Sequence, residues 1–231
     1  GIAVSSGNDA CIVAAERLGG TEEGFALLMN AKAKELGMTG SNFKNASGWP
    51  MPEHVTTPLD MFTLAKALIN DFPQYYHYFS QRSFTHSGIT QYNRNGLIRR
   101  NVGVDGLKTG HTEEAGYHLV ASAQRDNLRL ISVVMGTDSM RAREGEALKG
   151  LSWAFGRFKS HEMAQKGDVL VANAPVIYGL KDSVSLVAGE NAHMLLSAQE
   201  HDTIQKDFVY NSPLEAPLTT GTVVGQALYK T

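Results

Sequence analysis

The stretch Val104-Asp105-Gly106-Leu107-Lys108-Thr109-Gly110-His111 is a short extended run that ends in a cation, a hydroxyl and a glycine, ahead of turn residues. Its composition predicts a β-strand that meets a ligand at its far end. Lys108 supplies a positive charge and Thr109 a hydroxyl group, while Gly110 lacks the Cβ that would hold another backbone or a substrate away. We therefore expect a binding site along this strand.

Two more strands are predicted directly behind it, at residues 117–124 and 128–135, joined by a tight turn. Consecutive strands with short turns form an antiparallel sheet. A helical pattern over residues 139–159 carries apolar side chains that can cover this sheet, Trp153 among them. The predicted fold class is α+β, an antiparallel sheet covered by helices and followed by a small all-β sandwich domain.

The remaining elements divide into two domains, residues 1–162 and residues 163–231. In the first, Thr21 and Thr57 are predicted to begin helices, and residues 83–92 a hairpin. The helix after Thr21 is expected to face inward with Phe25, Leu28, Met29 and Leu36. Short, evenly spaced strands predict the sandwich of the second domain, at residues 169–171, 176–178, 184–187, 194–196, 208–210 and 223–224.

Composition excludes several classes of function. The formal net charge of −2, with acidic and basic residues mixed, does not fit a nucleic-acid groove. The single cysteine, Cys11, excludes an internal disulfide and a thiolate zinc cluster, and a core thiol is the simplest role for it. The eight histidines show no metal-binding spacing, so we expect neither a metal nor a cofactor. No apolar run approaches the length of a membrane span, and both ends of the chain read as cut.

A second polar motif, Ser6-Gly7-Asn8, lies far upstream as a turn between two helices. Asn8 and Asp9 are candidate N-caps of a helix that runs to about Arg17. Without a partner, Ser6 would be a turn serine and Asn8 a helix cap. A functional role requires Ser6 and Lys108 to face each other across one cleft.

Taken together, the motifs resemble those of the D-alanyl-D-alanine carboxypeptidases, especially the low-molecular-mass penicillin-binding proteins of the type 5 and 6 group. The resemblance covers nearly the whole chain, in family order: Ser6-Gly7-Asn8-Asp9-Ala10, Asn93-Arg94-Asn95-Gly96-Leu97, Asp105 to His111, Gly116-Tyr117 and Arg143-Glu144. The family's Ser-x-x-Lys motif, whose serine is acylated, does not stand at the corresponding place. Neither does its C-terminal membrane-anchoring helix. We expect this to be part of a longer enzyme, inactive by itself.

The resemblance implies three catalytic residues. The Ser6 hydroxyl would pass a proton toward the leaving D-alanine nitrogen, because a hydroxyl both donates and accepts. The Asn8 amide would donate to a substrate carbonyl and accept from a lysine. Lys108 would attract the substrate carboxylate, with its pKa lowered by a neighbouring lysine.

The same resemblance implies a set of substrate-binding residues. Thr109 would offer its hydroxyl to the terminal carboxylate, while the backbone through Gly110 to His111 pairs with an extended peptide and the His111 N–H contributes to the oxyanion hole. Arg94 and Arg143 are candidate partners of the free carboxylate, since guanidinium binds carboxylate in a two-pronged way. A charge pair with Glu144 or Glu146 is the competing explanation for Arg143.

The implied function is removal of the terminal D-alanine of peptidoglycan pentapeptides by a serine acyl-enzyme mechanism, with β-lactams as covalent inhibitors. The implied location is the bacterial periplasm, peripheral to the inner membrane. Two alternatives stay open: a class A-like β-lactamase, which shares Lys-Thr-Gly but has Ser-Asp-Asn, and a catalytically dead module that holds peptidoglycan stems without cutting them.

Overall fold

The computed structural model describes residues 1–231, and its internal contacts divide the chain into two units, Gly1–Phe155 and Gly156–Thr231. This division lies earlier than the predicted one between residues 162 and 163. The difference arises because the last helix of unit 1 leads directly into a strand, Phe158–Ala164, that pairs with a second-unit strand. Without an intervening loop, the composition gave no marker of the boundary.

Unit 1 carries five α-helices and two short 3₁₀ helices. Thr21 and Thr57 cap two of them as predicted: the Thr21 Oγ1 accepts from the Gly24 N–H at 2.9 Å, and the Thr57 Oγ1 from the Asp60 N–H at 3.1 Å. The helices are α1 (Ile2–Ser5), α2 (Asn8–Gly19), α3 (Glu22–Glu35), α4 (Pro58–Asp71) and α5 (Met140–Arg157), with 3₁₀ helices at Pro73–Tyr78 and Gly96–Ile98.

The strands of unit 1 form a hairpin and a three-stranded sheet. The hairpin pairs β1 (Ser83–His86) with β2 (Ile89–Tyr92). The sheet is antiparallel in the order β3-β4-β5, where β3 is Val104–Thr112, β4 Gly116–Arg125 and β5 Leu128–Thr137. The predicted α+β class is confirmed. Because β3 lies at the edge of the sheet, one side of its backbone has no strand partner.

The core of unit 1 lies between β4 and α5. Alternate residues of β4, Leu119 and Ala121, are buried on the face that meets Ala147 and Leu151 of the helix. Leu119 is 1% exposed and Leu151 2%. Burying a leucine side chain fully stabilises the fold by about 2 kcal/mol.

Two predicted inward residues of unit 1 are on the surface. Leu28 is 52% exposed, because α3 buries Ala26 and Ala33 and Leu28 follows Ala26 by two positions, on the other side of the helix. Trp153 is 61% exposed. It follows buried Leu151 by two positions, and residues two apart point to opposite sides of a helix.

Unit 2 is built of short strands, as predicted, in three small sheets. One predicted strand is wrong: Val223 lies in a loop and is 88% exposed. The sequence analysis did not predict a short helix that begins with a capping box between Ser197 and Glu200. The elements are β6 (Phe158–Ala164), β7 (Val169–Ile177), β8 (Ser183–Val187), β9 (Ala192–Ser197), α6 (Ala198–Thr203), β10 (Gln205–Tyr210), β11 (Leu214–Glu215) and β12 (Gly225–Lys230).

A cavity of about 850 Å³ is lined by residues of unit 2. Its walls are mainly aliphatic and hydroxyl side chains, with Phe208, Tyr210 and Tyr229, and Glu190 is its one carboxylate. It holds no nucleophile paired with a base, so its size does not mark the reactive site. None of the helices in either unit has the length and apolar character of a membrane span.

Candidate active site

Ser6 and Lys108 meet in unit 1, although 102 positions separate them: the Lys108 Nζ donates to the Ser6 Oγ at 2.6 Å. Ser6 is the C-cap of α1 in a left-handed conformation (φ 59°, ψ 44°), and Gly7 is the N-cap of α2. A left-handed serine costs about 1–2 kcal/mol, so tertiary structure must hold this turn. The turn presents the hydroxyl to the lysine, which is the juxtaposition that the sequence hypothesis requires.

Lys108 is the charged residue of this contact and the centre of the cluster of polar residues around Ser6. Its Nζ also donates to the Thr109 carbonyl at 2.7 Å, which leaves one N–H of the ammonium group for another acceptor. Its pKa is lowered to about 8, chiefly by burial, and the nearby Arg143 and Arg94 guanidiniums contribute to the same shift. The expected direction of the pKa shift is confirmed, but its main cause here is burial and not a second lysine. The group is charged at neutral pH and can release its proton near pH 8.

The Asn8 side chain is exposed at the start of α2 and forms no hydrogen bond within the chain. The predicted cap role is wrong, since the N-cap residue is Gly7 and no side-chain hydrogen bond caps the helix. Asp9 is in the first turn, where its Oδ1 accepts from the Ala10 N–H at 2.8 Å. The Asn8 amide is thus free to donate and accept at the turn that carries Ser6.

Thr109, Gly110 and His111 continue β3 past the lysine. Thr109 is buried, whereas Gly110 and His111 are exposed. A Cβ built on Gly110 would meet only the His118 side chain, at an ordinary 3.6 Å, so packing within the chain does not require glycine there. The His111 ring stacks on Tyr117 with 3.9 Å between centroids. The free edge and the open surface at Gly110 leave room for an extended peptide.

Arg143 lies behind this strand and is only 3% exposed. Its Nη1 donates to the Gly110 carbonyl at 3.1 Å and its Nη2 to the Arg94 carbonyl at 3.3 Å. Its Nε has no partner, and burial lowers the guanidinium pKa. Arg143 forms no ion pair: Glu144 accepts from the Gly96 N–H and acts on the guanidinium only through its nearby charge, and Glu146 pairs with Lys149. Arg143 therefore ties β3 to the Arg94 segment.

Arg94 is the exposed cation of the cluster. Its backbone N–H donates to the Val4 carbonyl of α1 at 3.2 Å, which fixes the segment beside the Ser6 turn. Its side chain is exposed and forms no ion pair. Lys108 and buried Arg143 lie close by. Together with them, the Arg94 guanidinium makes the groove along the free edge of β3 positive and suited to a carboxylate.

Cys11 belongs to the neighbourhood of the site, so its assignment to the core is wrong. It is half-buried on α2, three positions after Asn8 and therefore on the same helical face. Burial raises its pKa, and the Lys108 charge opposes that shift. Helical spacing from Asn8 was the signal that could have identified it.

One Ser-x-x-Lys spacing does occur, at Ser41 to Lys44, but its residues serve the long loop between α3 and α4. The Ser41 Oγ donates to the Asp60 Oδ2 at 2.6 Å, and Lys44 pairs with Glu53 at 3.0 Å. The ammonium and the hydroxyl thus have separate partners. This serine is not activated by its lysine.

A Lys-Thr-Gly strand at a sheet edge, joined to a Ser-Gly-Asn turn between two helices, defines the class of serine enzymes that bind penicillin. Within that class, the chain belongs to the D-alanyl-D-alanine carboxypeptidase family, whose model matches residues 1–139. Residues 158–231 match the C-terminal domain of penicillin-binding protein 5.

Individual relatives agree with this assignment. D-alanyl-D-alanine carboxypeptidase DacC of Escherichia coli is 41% identical over 227 residues, which cover 97% of this chain and 56% of that protein. The chain thus spans about half the length of the curated relatives it matches. The structure of penicillin-binding protein 5 from Haemophilus influenzae superposes with a TM-score of 0.86 and 36% identity, covering 100% of this chain and 67% of that one.

Proposed function

We propose that these residues form most of the active site of a serine-type D-Ala-D-Ala carboxypeptidase that removes the terminal D-alanine of peptidoglycan pentapeptides. The observation that carries the proposal is the 2.6 Å hydrogen bond from Lys108 to Ser6 beside the free edge of β3. Cleavage by acyl transfer requires a nucleophile, a proton path to the leaving amine, and donors directed at the oxyanion. The chain supplies the second and part of the third.

Ser6 is assigned the proton transfer. Because its Oγ accepts from the Lys108 ammonium, its own hydroxyl hydrogen is free to donate to a leaving nitrogen. As the C–N bond breaks, Ser6 gives its proton to the amine and receives one from Lys108. A lysine with a pKa of about 8 is well matched to this transfer near neutral pH.

Substrate binding is assigned to the edge strand and its cations. The peptide would lie antiparallel to β3 across Gly110, with its carbonyl held by the Asn8 amide and the His111 N–H. The terminal carboxylate would lie at the Thr109 hydroxyl and the exposed Arg94 guanidinium. Arg143 adds positive charge from behind the strand while holding the Gly110 carbonyl. This need for a carboxylate makes the site specific for a chain end.

β-Lactams would acylate the same enzyme, because they present a carboxylate and a reactive amide in one small molecule. Structures of penicillin-binding protein D2 from Listeria monocytogenes, 33–34% identical, contain cefotaxime or ampicillin. We place the enzyme in the bacterial periplasm, peripheral to the inner membrane, where peptidoglycan stem peptides are found.

The decisive experiment uses the complete gene product that carries these residues, called the complete protein below. Incubation with penicillin should add one covalent equivalent by mass spectrometry, and a D-Ala-D-Ala peptide should lose one alanine. Absence of both would refute the proposal. Nitrocefin hydrolysed rapidly and repeatedly would instead favour the β-lactamase, and peptide binding without cleavage the inactive module. Residues 1–231 alone should not label with fluorescent penicillin, because Ser41 is bound to Asp60.

A further inference from the structure

A second polar cluster lies at the opposite end of β3 from the exposed glycine. The Arg129 guanidinium donates to both carboxylate oxygens of Asp105, each at 2.8 Å. The Tyr76 hydroxyl donates to the same carboxylate at 2.8 Å, and the guanidinium lies 4.8 Å from the Tyr76 ring. The pair is partly buried, with side-chain exposures of 23% and 33%. Two charge-assisted bonds in a fork are stronger and more directional than a surface ion pair.

The cluster surrounds an irregularity in the sheet. Val104 pairs with Ala123 and Gly106 with Ser122, so Asp105 is an extra residue, a β-bulge, in β3. The Asn95 Nδ2 holds the neighbouring Gly106 carbonyl at 3.0 Å. A Cβ at Gly106 would overlap the Tyr76 hydroxyl, so glycine is required at this point.

The bulge determines which face of the sheet Lys108 occupies. In the observed register Lys108 is opposite Val120, and Thr109 is opposite the core residue Leu119. Without the extra residue, continuous pairing from Val104 would place Lys108 opposite Leu119 and direct its side chain toward the core. A shift of one residue moves every side chain of a strand to the other face.

We propose that Asp105 is a positioning residue: held by Arg129 and Tyr76 as the extra residue of the bulge, it fixes the register in which Lys108 reaches Ser6. Its importance for catalysis rests on the proposed function, but the register itself does not. Asp105 has no contact with the groove and acts only through the strand.

The test measures where Lys108 lies, independently of turnover. Amine labelling of the complete protein across pH, followed by peptide mapping, gives the titration midpoint of Lys108, which is about 8 when the side chain is buried and 10.5 for an ordinary lysine. In Asp105→Asn the strand should no longer hold Lys108 against Ser6, and because an ammonium group is not stable against the Leu119 core, the side chain should move into solvent. Its midpoint should therefore rise, lowering the labelling rate at pH 8 at least tenfold. Tyr76→Phe should shift it in the same direction but less, and serves if the first variant does not fold. Asp207→Asn, which removes an exposed ion pair with Lys230 in unit 2, is the matched control.

An unchanged midpoint in a folded Asp105→Asn protein, with only a lower melting temperature, would overturn the positioning role. Arg129→Gln alone and the double variant with Asp105→Asn should shift the Lys108 midpoint equally, since both substitutions remove the same Arg129–Asp105 pair. Additive shifts would contradict the positioning role. If the midpoint shifts as expected while the unmutated protein fails to react with penicillin, the register role stands and only the proposed function fails.

Discussion

The two units of the chain differ in what they bury. Unit 1 buries polar and charged side chains within its fold, namely Ser5, Asn45, Asp60, Asn93, Asn95, Thr109, Ser122 and Arg143, whereas Ser197 is the only such residue in unit 2. A buried polar group destabilises a protein unless it is paired, so a region that retains many of them uses them to fix positions. The comparison supports the proposed site in unit 1, although a cavity of about 850 Å³ lies in unit 2.

The largest expected effect compares one lysine in each unit. Lys108→Ala in the complete protein should lower the rate constant of penicillin acylation by about 10³-fold, because it removes both the charge and the proton donor of Ser6. Lys206→Ala, which removes the unit 2 cation over Tyr229, should leave that rate within twofold. Stopped-flow acylation measures both. If both variants lost the same fraction of the acylation rate, the chemistry could not be assigned to unit 1.

The next prediction compares the interiors of the two units. Leu119→Ala should lower the free energy of unfolding by about 3–5 kcal/mol, because this side chain is closely surrounded at 1% exposure. Leu214→Ala should cost about 2 kcal/mol, since Leu214 borders the existing unit 2 cavity and has fewer neighbours to lose. Urea unfolding of the complete protein measures both values. A larger loss for Leu214 would show that unit 2 is the better packed.

The partly buried charge of Lys108 should also appear in the pH dependence of stability. Its pKa in the folded protein is about 8, lowered from 10.5. Between these values the unfolded chain binds more protons, so the free energy of unfolding gains a contribution that increases from pH 8 to pH 10.5. Below pH 8 the charged group destabilises the fold by about 1–2 kcal/mol, after allowance for partial exposure.

Lys108→Met isolates this contribution, since the other lysines cancel in the difference. The difference in the free energy of unfolding, Lys108→Met minus the unmutated protein, should be larger at pH 7 than at pH 10. Urea titrations at both pH values measure it. Lys206→Met in unit 2 provides the exposed control and should show no such trend. A difference for Lys108→Met that is constant with pH would mean that the ammonium is fully solvated.

The smallest effect concerns the other serine–lysine spacing of unit 1. Ser41→Ala should leave acylation by penicillin within twofold and lower the free energy of unfolding by about 1 kcal/mol, because Asp60 loses one hydrogen bond and keeps that of the Gly40 N–H. Thr63→Ala, which removes a hydroxyl bound to the Leu59 carbonyl within α4, is a control for hydroxyl loss. A collapse of acylation in Ser41→Ala would make Ser41 part of the reaction.

Much of unit 1 could be predicted from local pattern. Caps at Thr21 and Thr57 and the short extended run around Lys108 are signals contained within a few residues, and they identified the helices and the sheet. The meeting of Ser6 with Lys108 followed from the family resemblance. Local pattern failed where packing between elements decides, as at Leu28, which lies on the surface because α3 buries its Ala26 and Ala33 face instead.

The cause of the lowered Lys108 pKa could not be predicted, since it depends on burial in three dimensions. The same holds for Arg143, whose two donors meet carbonyl groups remote in sequence. The bulge at Asp105 leaves no trace in the alternation of β3, because glycine at 106 is compatible with many turns. Unit 2 was less well predicted: Val223 resembles a strand residue by composition, but no partner strand pairs with it.

Gly110 is a glycine that packing within the chain does not require. Its surroundings would accept a methyl group, with His118 as the nearest neighbour at 3.6 Å. Thermal screening of variants would therefore rate alanine at this position as neutral. Under the proposed function, the added carbon would displace a guest molecule lying along the strand, so the rate of penicillin acylation, and not heat resistance, is the measurement that would reveal a role for this glycine.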